Sequence, residues 1–170
     1  VELKPETRFI ADRANPLAIA GIIGGEASSV TDSTTNIMLE AAFFTPDLLA
    51  GRARAYGLHT ESSHRFERGV DFELQVEAME RASQLLLDIV GGEAGPMEQA
   101  VSAAHLPASQ TITLREPRIG KMLGLEIPAA EVERILTGLG LGVTACEGGW
   151  VCSVPSWRFD MSIEADLLEE

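Results

Sequence analysis

The residues best equipped for chemistry crowd into Gly51–Asp71, which reads GRARAYGLHTESSHRFERGVD. This stretch holds four arginines (Arg52, Arg54, Arg65, Arg68), two histidines (His59, His64) and the carboxylates Glu61 and Glu67. Tyr56, Thr60, Ser62 and Ser63 add hydroxyls, and three glycines interrupt it. Its only large aliphatic residues are Leu58 and Val70, so hydrophobic period predicts neither a core helix nor a core strand. The expectation is a polar, glycine-hinged segment held by the apolar stretches on either side. Isolated charged residues usually just face solvent. Here histidine and arginine interleave with hydroxyls, and loops on a rigid scaffold are where binding groups tend to sit.

Three other places carry candidate groups. Glu40 lies inside the apolar run Ile37–Ala42. Either it faces water on an edge, or it is buried and demands a partner, because an unpaired buried charge is very costly. Gly24-Gly25 closes the apolar run Leu17–Ile23 and could let a ligand approach the backbone closely. It is not a phosphate loop, since GxGxxG and a Lys-Ser/Thr ending are both missing, and a tight turn is the simpler reading. Last, Asp160, Glu164, Asp166, Glu169 and Glu170 put five acids into the final eleven residues. If the chain is helical from Ile163, Asp166, Glu169 and Glu170 share a face and repel one another. A hard cation held by carboxylate oxygens would neutralise them; a solvated acidic helix is the alternative.

The bulk composition sets limits. A chain of 170 residues fits one domain or two small ones, and 45% hydrophobic content supports a real core. With 13 Lys+Arg against 26 Asp+Glu the formal net charge is −13. A protein that grips nucleic acid by charge alone would be basic, so any RNA contact must use a local patch, and Gly51–Arg68 is the obvious one. No DNA partner is expected. Cys146 and Cys152 are too few for a disulfide framework or a zinc site, which suits a reduced, cytoplasmic protein. No run approaches the length of a membrane helix, and no membrane partner is expected. The start without Met and the ending Asp166-Leu167-Leu168-Glu169-Glu170 suggest a piece of a longer protein.

The elements that must position these groups follow from pattern and punctuation. Arg8–Asp12 predicts a short strand, Asn15-Pro16 a turn, Leu17–Ile23 a buried strand and Ile37–Ala42 another. Thr45 and Pro46 predict a helix start. Asp71 is placed to cap a long helix from Phe72 to Val90, with Phe72, Val76, Met79, Leu86 and Ile89 or Val90 as its apolar stripe and Gly91-Gly92 as its stop. Gly92–Gln110 lacks clear period and reads as a linker, with the domain boundary near residues 97–110. Beyond it come a strand (Thr111–Leu114), a helix opened by Pro117 and closed by Gly124, a second helix through Val132, Ile135, Leu136 and Leu139, and a hairpin around Gly148-Gly149. Two helices and a hairpin give a winged-helix-like outline. Yet Glu126, Glu131 and Glu133 stand against Arg134 alone, which is poor chemistry for entering a groove, so a scaffold or interaction role is expected there. The fold class is α+β.

Five segments together resemble the beta subunit of bacterial phenylalanyl-tRNA synthetases: Ala18–Gly25 (AIAGIIGG), Asn36–Ala42 (NIMLEAA), Gly51–Asp71, Ile89–Pro96 (IVGGEAGP) and Val154–Glu170 (VPSWRFDMSIEADLLEE). The resemblance runs through essentially the whole chain. It implies a truncated layered α/β editing domain, of which residues 1–97 are the C-terminal part, a linker over 98–109, and a small domain over 110–170 ending in an acidic helix. It implies an enzyme that ligates phenylalanine to its tRNA with ATP, an α2β2 partnership with the alpha subunit, and phenylalanine tRNA as substrate. The editing domain of the family hydrolyses tyrosine wrongly esterified to that tRNA. No nucleophile elbow is present. An activated ester needs only a positioned water and polarising donors, although which group positions the water is open. By resemblance Glu40 reads the phenolic hydroxyl, Gly24 leaves room for backbone approach, and Thr60 and Ser62 line the pocket. Further pocket residues of the family lie upstream of Val1, so weak or absent hydrolysis is expected from this chain alone. Asp160, Asp166, Glu169 and Glu170 match carboxylates that bind magnesium at the junction with the alpha subunit. A noncatalytic module that positions tRNA or docks the alpha subunit is the competing reading, and an unrelated winged-helix nucleic-acid binder a third.

Overall fold

Short glycine- and aspartate-closed turns organise the first half of the chain. In the computed structural model, which describes residues 2–170, β1 (Phe9–Ala11) pairs antiparallel with β2 (Pro16–Ile19), and β2 with β3 (Ile23–Gly24), in the order β1-β2-β3. Asp12 closes the first turn: its Oδ1 accepts from the N–H groups of Ala14 at 2.7 Å and Asn15 at 2.6 Å, an Asx turn. The apolar run Leu17–Ile23, predicted as one buried strand, is instead a hairpin. The chain reverses at Gly21, where φ is +66°, a conformation that costs glycine little. Ala20 and Ile22, each 3% exposed, are tucked inward by the reversal. A burial pattern set by a turn cannot be told from one set by a strand when the run is this short.

The strand predicted over Ile37–Ala42 is absent. Among the described residues no backbone hydrogen bond joins this run to another segment; Ala42 O receives only the Gln75 side-chain amide, at 3.5 Å. A strand needs a neighbour to satisfy its peptide groups. Without one the run forms no regular element, and Met38 is 93% exposed.

Four helices follow: α1 (Pro46–Leu49), α2 (Arg52–Ala55), α3 (Glu61–Phe66) and α4 (Gln75–Val90). The stretch expected to be a glycine-hinged loop thus keeps its hinges, at Gly51 and Gly57 with φ +73° and +68°, but folds between them into α2 and α3. α4 begins later than predicted. Leu74, not Asp71, stands at its N-cap, and Asp71 Oδ1 accepts from Glu73 N one turn upstream, at 2.9 Å. Gly91, with φ +71°, ends the helix as expected, its N–H reaching Leu87 O at 2.9 Å. None of its residues is buried, and Val76, Leu85, Ile89 and Val90 stand open on its surface.

These elements belong to one of two units, Val1–Glu98; the other is Gln99–Glu170. The second unit carries the larger core. β4 (Gln110–Arg115), α5 (Glu116–Leu123), α6 (Ala129–Gly138), β5 (Gly142–Cys146), β6 (Gly149–Val154) and α7 (Glu164–Glu169) follow the predicted helix, helix, hairpin order. The sheet is antiparallel with β6 in the centre, in the order β4-β6-β5. Ile112, Leu114, Ile119, Val132, Leu136, Leu141, Trp150, Cys152, Met161, Leu167 and Leu168 form one buried cluster. The hairpin depends on Gly149: a Cβ there would lie 2.0 Å from Leu114 O on the neighbouring strand, so no side chain fits. Helices and small antiparallel sheets make the chain α+β. No helix among the described residues is long and apolar enough to cross a membrane.

Candidate functional site

In the first unit, helices α2 and α3 and the turn between them enclose a cleft of about 360 Å³, lined by Ala53, Arg54, Gly57, Leu58, His59, Ser63, His64, Glu67 and Arg68. Two local devices shape it. Gly57 takes φ +68°, which turns the chain out of α2, and Leu58 N returns to Ala53 O at 2.9 Å. Thr60 then caps α3. Its Oγ1 accepts from Ser63 N at 3.0 Å, while Ser63 Oγ accepts from Thr60 N at 3.1 Å, a reciprocal capping box. One turn later Arg68 Nη1 donates to His64 Nδ1 at 3.0 Å and to His64 O at 2.9 Å. The His59 and His64 rings meet edge to face at 5.9 Å.

The arginines of this stretch separate by partner. Arg52 pairs with Glu6 at 3.3 Å and Arg65 with Glu61 at 3.4 Å. Arg54 and Arg68 have no carboxylate within 4.0 Å among the described residues, and both line the cleft. Sequence reading named all four together. Only the i, i+4 spacing of Glu61 and Arg65 gave a signal of which are neutralised.

The four residues expected to form an editing pocket fall in different settings. Thr60 Oγ1 donates to Ile22 O at 2.7 Å, and Ser62 Oγ donates to Gly21 O at 3.0 Å. Both hydroxyls therefore pin the start of α3 to the β2–β3 turn, and neither lines the cleft. Gly24 stands at the end of β3, and a Cβ placed there would meet nothing within 4 Å. Its neighbour differs: a Cβ on Gly25 would lie 2.6 Å from Leu17 O, so the fold itself requires Gly25 and leaves the space over Gly24 open. Glu40 is exposed and makes no hydrogen bond or ion pair among the described residues. The structure brings Thr60, Ser62 and the Gly21–Gly25 turn together and leaves Glu40 on the unpaired run.

At the other end of the chain the carboxylates are already engaged. Arg158 donates to both oxygens of Asp160, with Nη2–Oδ2 at 2.8 Å, and its Nη2 also bonds Glu170. Arg158 thereby holds the Asp160 carboxyl below its ordinary range. Asp166 turns back to cap α7, its Oδ2 accepting from Ser162 N at 2.7 Å and Ile163 N at 2.9 Å; these bonds lower its pKa. Glu169 is exposed. Among the described residues no three His, Cys, Asp or Glu side chains converge as a metal site. Arg158 engages both Asp160 oxygens and one of Glu170, and two peptide N–H groups engage Asp166 Oδ2, so as arranged these carboxylates do not converge on one ion. Sequence reading missed this counter-ion because Arg158 precedes the acidic run. It named Glu164 among the acids but not its partner: Glu164 accepts from the Arg115 backbone N–H at 2.9 Å and from the Arg115 guanidinium.

Comparison with known proteins places both units. Residues 1–91 match the B3/4 domain family and residues 112–170 the tRNA synthetase B5 domain family. Over its full length the chain is 58% identical to the phenylalanine–tRNA ligase beta subunits of Pseudomonas savastanoi pv. phaseolicola and Pseudomonas syringae pv. tomato. It is also 58% identical to that of Pseudomonas putida. In each case it spans 22% of the relative's length. With B3/4 and B5 domains in series and more than half of its residues shared with each of these relatives, the chain belongs to the phenylalanine–tRNA ligase beta subunit family.

Proposed function

We propose that this chain serves an enzyme that ligates phenylalanine to its tRNA with ATP, in partnership with an alpha subunit. In that enzyme its first unit acts in hydrolysis of tyrosine misattached to the tRNA. The observation that carries this reading is identity to beta subunits over the entire chain, B3/4 and B5 regions together. The local geometry supports one part of it. The open space over Gly24 and the rigid junction of Thr60 and Ser62 with Gly21 and Ile22 give a firm backbone surface against which an aminoacyl ester can lie. An ester is already activated, so positioned water and fixed donors suffice for its hydrolysis. Selecting tyrosine is the harder task, because a hydrophobic pocket cannot strongly reject an added hydroxyl. In this reading Glu40 recognises the hydroxyl, and it does so when Ile37–Ala42 is paired as a strand and no longer open to solvent. The resemblance supports that role; the position of Glu40 in this chain does not.

The test is hydrolysis of tyrosyl-tRNA by the complete heterotetramer carrying Glu40→Ala. Slower clearance of the misattached ester is expected. Clearance at the rate of the unaltered enzyme removes Glu40 from the reading.

A second reading, a noncatalytic module that positions tRNA, is favoured by one observation: the Thr60 and Ser62 hydroxyls are spent on backbone carbonyls. If Glu40→Ala and Gly24→Ala both leave hydrolysis unchanged, this reading replaces the first.

A further inference from the structure

The sheet of the second unit has β6 in its centre, so β4 and β5 are both edges, and the two edges are finished differently. Register decides which peptide groups each presents. Along an antiparallel strand, successive residues alternately point their N–H and C=O at the partner strand and away from it. Glu116 N donates to Gly148 O at 2.9 Å, which continues the β4–β6 ladder past the Arg115–Gly149 pair. The even-numbered residues of β6 therefore bond β4, and Gly149, Val151 and Ser153 bond β5 through their partners Cys146, Thr144 and Gly142. Val143 and Ala145 are left with N–H and C=O groups directed away from the sheet. No other backbone hydrogen bond reaches them among the described residues.

On the far edge the same alternation turns Arg115 N outward, and there Glu164 Oε1 accepts from it at 2.9 Å. Nothing closes β5 in this way. Its residues, GVTAC, include no charge and no proline, and its register has no bulge; these are the devices that usually protect an edge.

We infer that β5 is an association edge, and that its partner is β5 of a second copy of this chain, antiparallel about a two-fold axis at Thr144. Symmetry is the first support. Val143 and Ala145 flank Thr144, so the axis sets Val143 opposite Ala145 of the second copy, and each such pair exchanges both of its backbone hydrogen bonds. A two-fold contact must be complementary to itself, and this one uses every outward peptide group of the strand. The side chains agree. Thr144 meets its own copy, a favourable cross-strand pair. Cys146 falls opposite Gly142, which has no side chain to obstruct it.

Charge is the second support. At a formal net charge of −13, most approaches of one copy to another are repulsive. From Ile135 to Cys146 the chain carries no charged residue, so this edge admits a second copy at little electrostatic cost. Glu147, the first charge beyond it, lies opposite Leu141 in this register, which keeps the two copies of Glu147 at opposite ends of the pair. A foreign strand would gain the backbone bonds but not this match of side chains. One strand pair is a small contact, so the association is weak. The inference stands apart from the tRNA reading.

The test is sedimentation velocity of the full 170-residue chain over a concentration series up to about 1 mM, the weak end of specific association. The unaltered chain is expected to pass from monomer to dimer along the series. Thr144→Glu sets like charges against each other at the axis and should weaken the dimer at least about tenfold. Thr113 lies in the same cross-strand row, through Val151, but on β4. Thr113→Glu adds the same charge there and should leave association within about twofold. Mixing Thr144→Glu with Thr144→Lys should restore it, because opposite charges then face each other. Far-UV circular dichroism checks that each variant folds. If Thr144→Glu does not, Thr144→Cys takes its place. A pair of this type holds its Cα atoms about 4.5 Å apart, within disulfide reach. Mild oxidation should then link two copies of Thr144→Cys, and not two copies of Thr113→Cys. Monomer at every concentration overturns the proposal. So does a dimer that Thr144→Glu leaves intact, as it would if the open apolar side chains of α4 made the contact. Equal weakening by Thr144→Glu and Thr113→Glu overturns it as well, because net charge alone then explains the effect.

Discussion

The Thr60 hydroxyl joins two segments thirty-eight residues apart: Oγ1 donates to Ile22 O at 2.7 Å while accepting from Ser63 N at 3.0 Å. One side chain thus caps α3 and fastens it to the β2–β3 turn. In a unit whose buried apolar residues are few, Ala20, Ile22, Leu49 and Ala53, such polar ties carry a larger share of the order. Thr60→Val keeps the shape and removes both bonds. A cap of this kind contributes about 1 kcal/mol, up to about 2, and the Ile22 carbonyl is left without its donor. A loss of about 2 kcal/mol in urea unfolding of the first unit is expected, with Thr60→Ser within about 0.5 kcal/mol of the unaltered chain. Equal loss in both variants would show that the methyl group, not the hydroxyl, matters.

Gly24 and Gly25 stand side by side with opposite requirements. Alanine at Gly25 places its Cβ 2.6 Å from Leu17 O, a carbonyl fixed by β2, whereas alanine at Gly24 meets open space. Gly25→Ala should therefore cost about 1–3 kcal/mol as an overpacked site, and Gly24→Ala should stay within about 0.5 kcal/mol. If an aminoacyl ester lies over Gly24, the same Gly24→Ala chain assembled in the complete enzyme should hydrolyse tyrosyl-tRNA more slowly despite its unchanged stability. Unchanged hydrolysis would remove Gly24 from the site.

What the sequence disclosed depended on how far each element's partners lie along the chain. α5, α6 and the β5–β6 hairpin were legible because Pro117, Gly124, Gly140 and Gly148-Gly149 punctuate them locally and their apolar residues repeat at the right period. Ile37–Ala42 was misread because strand identity requires a ladder partner that no local pattern reveals. The run Leu17–Ile23 was misread because Gly21 looks the same in a strand and in a turn. The site residues follow the same rule. The pairing of Arg65 with Glu61 was readable from their spacing, but that of Arg52 with Glu6 spans 46 residues. Without it, Arg54 and Arg68 could not be singled out as the guanidiniums with no carboxylate within 4.0 Å among the described residues.

Acid should weaken the second unit through Glu164. Hydrogen bonds from the Arg115 guanidinium, with help from its backbone N–H and from Arg118 at 3.6 Å, pull this carboxyl down to about 2. In the unfolded chain an ordinary glutamate titrates near about 4.3. A folded value below the unfolded one means the stabilisation is complete above about pH 5 and is lost as pH falls toward about 2. The urea midpoint of the second unit is expected to fall between about pH 5 and pH 3, and Glu164→Gln to show a shallower fall from a lower starting midpoint. An identical acid slope in the variant would assign the loss to other carboxylates, among them Asp160 and Asp166.

Arg158 decides whether the C-terminal acids can bind a cation. Its guanidinium bonds Asp160 and Glu170 together, with only 19% of its side chain exposed. A divalent ion would have to displace a partner that is fixed by the chain and therefore always at high local concentration. Magnesium also gives up its water reluctantly and prefers octahedral oxygen ligation, and while Asp166 caps α7 its Oδ2 is already held by two peptide N–H groups. Calorimetric titration of the chain with magnesium chloride should accordingly show no saturable uptake. In Arg158→Met the two carboxylates lose their shared counter-ion, and uptake that is weakened by adding Asp166→Asn is expected to appear. Saturable uptake by the unaltered chain, abolished by Asp166→Asn, would mean that the ion outcompetes the guanidinium and that the C-terminal helix rearranges to receive it. That outcome would favour the magnesium site implied by the family resemblance over the ion-pair arrangement described for the chain alone.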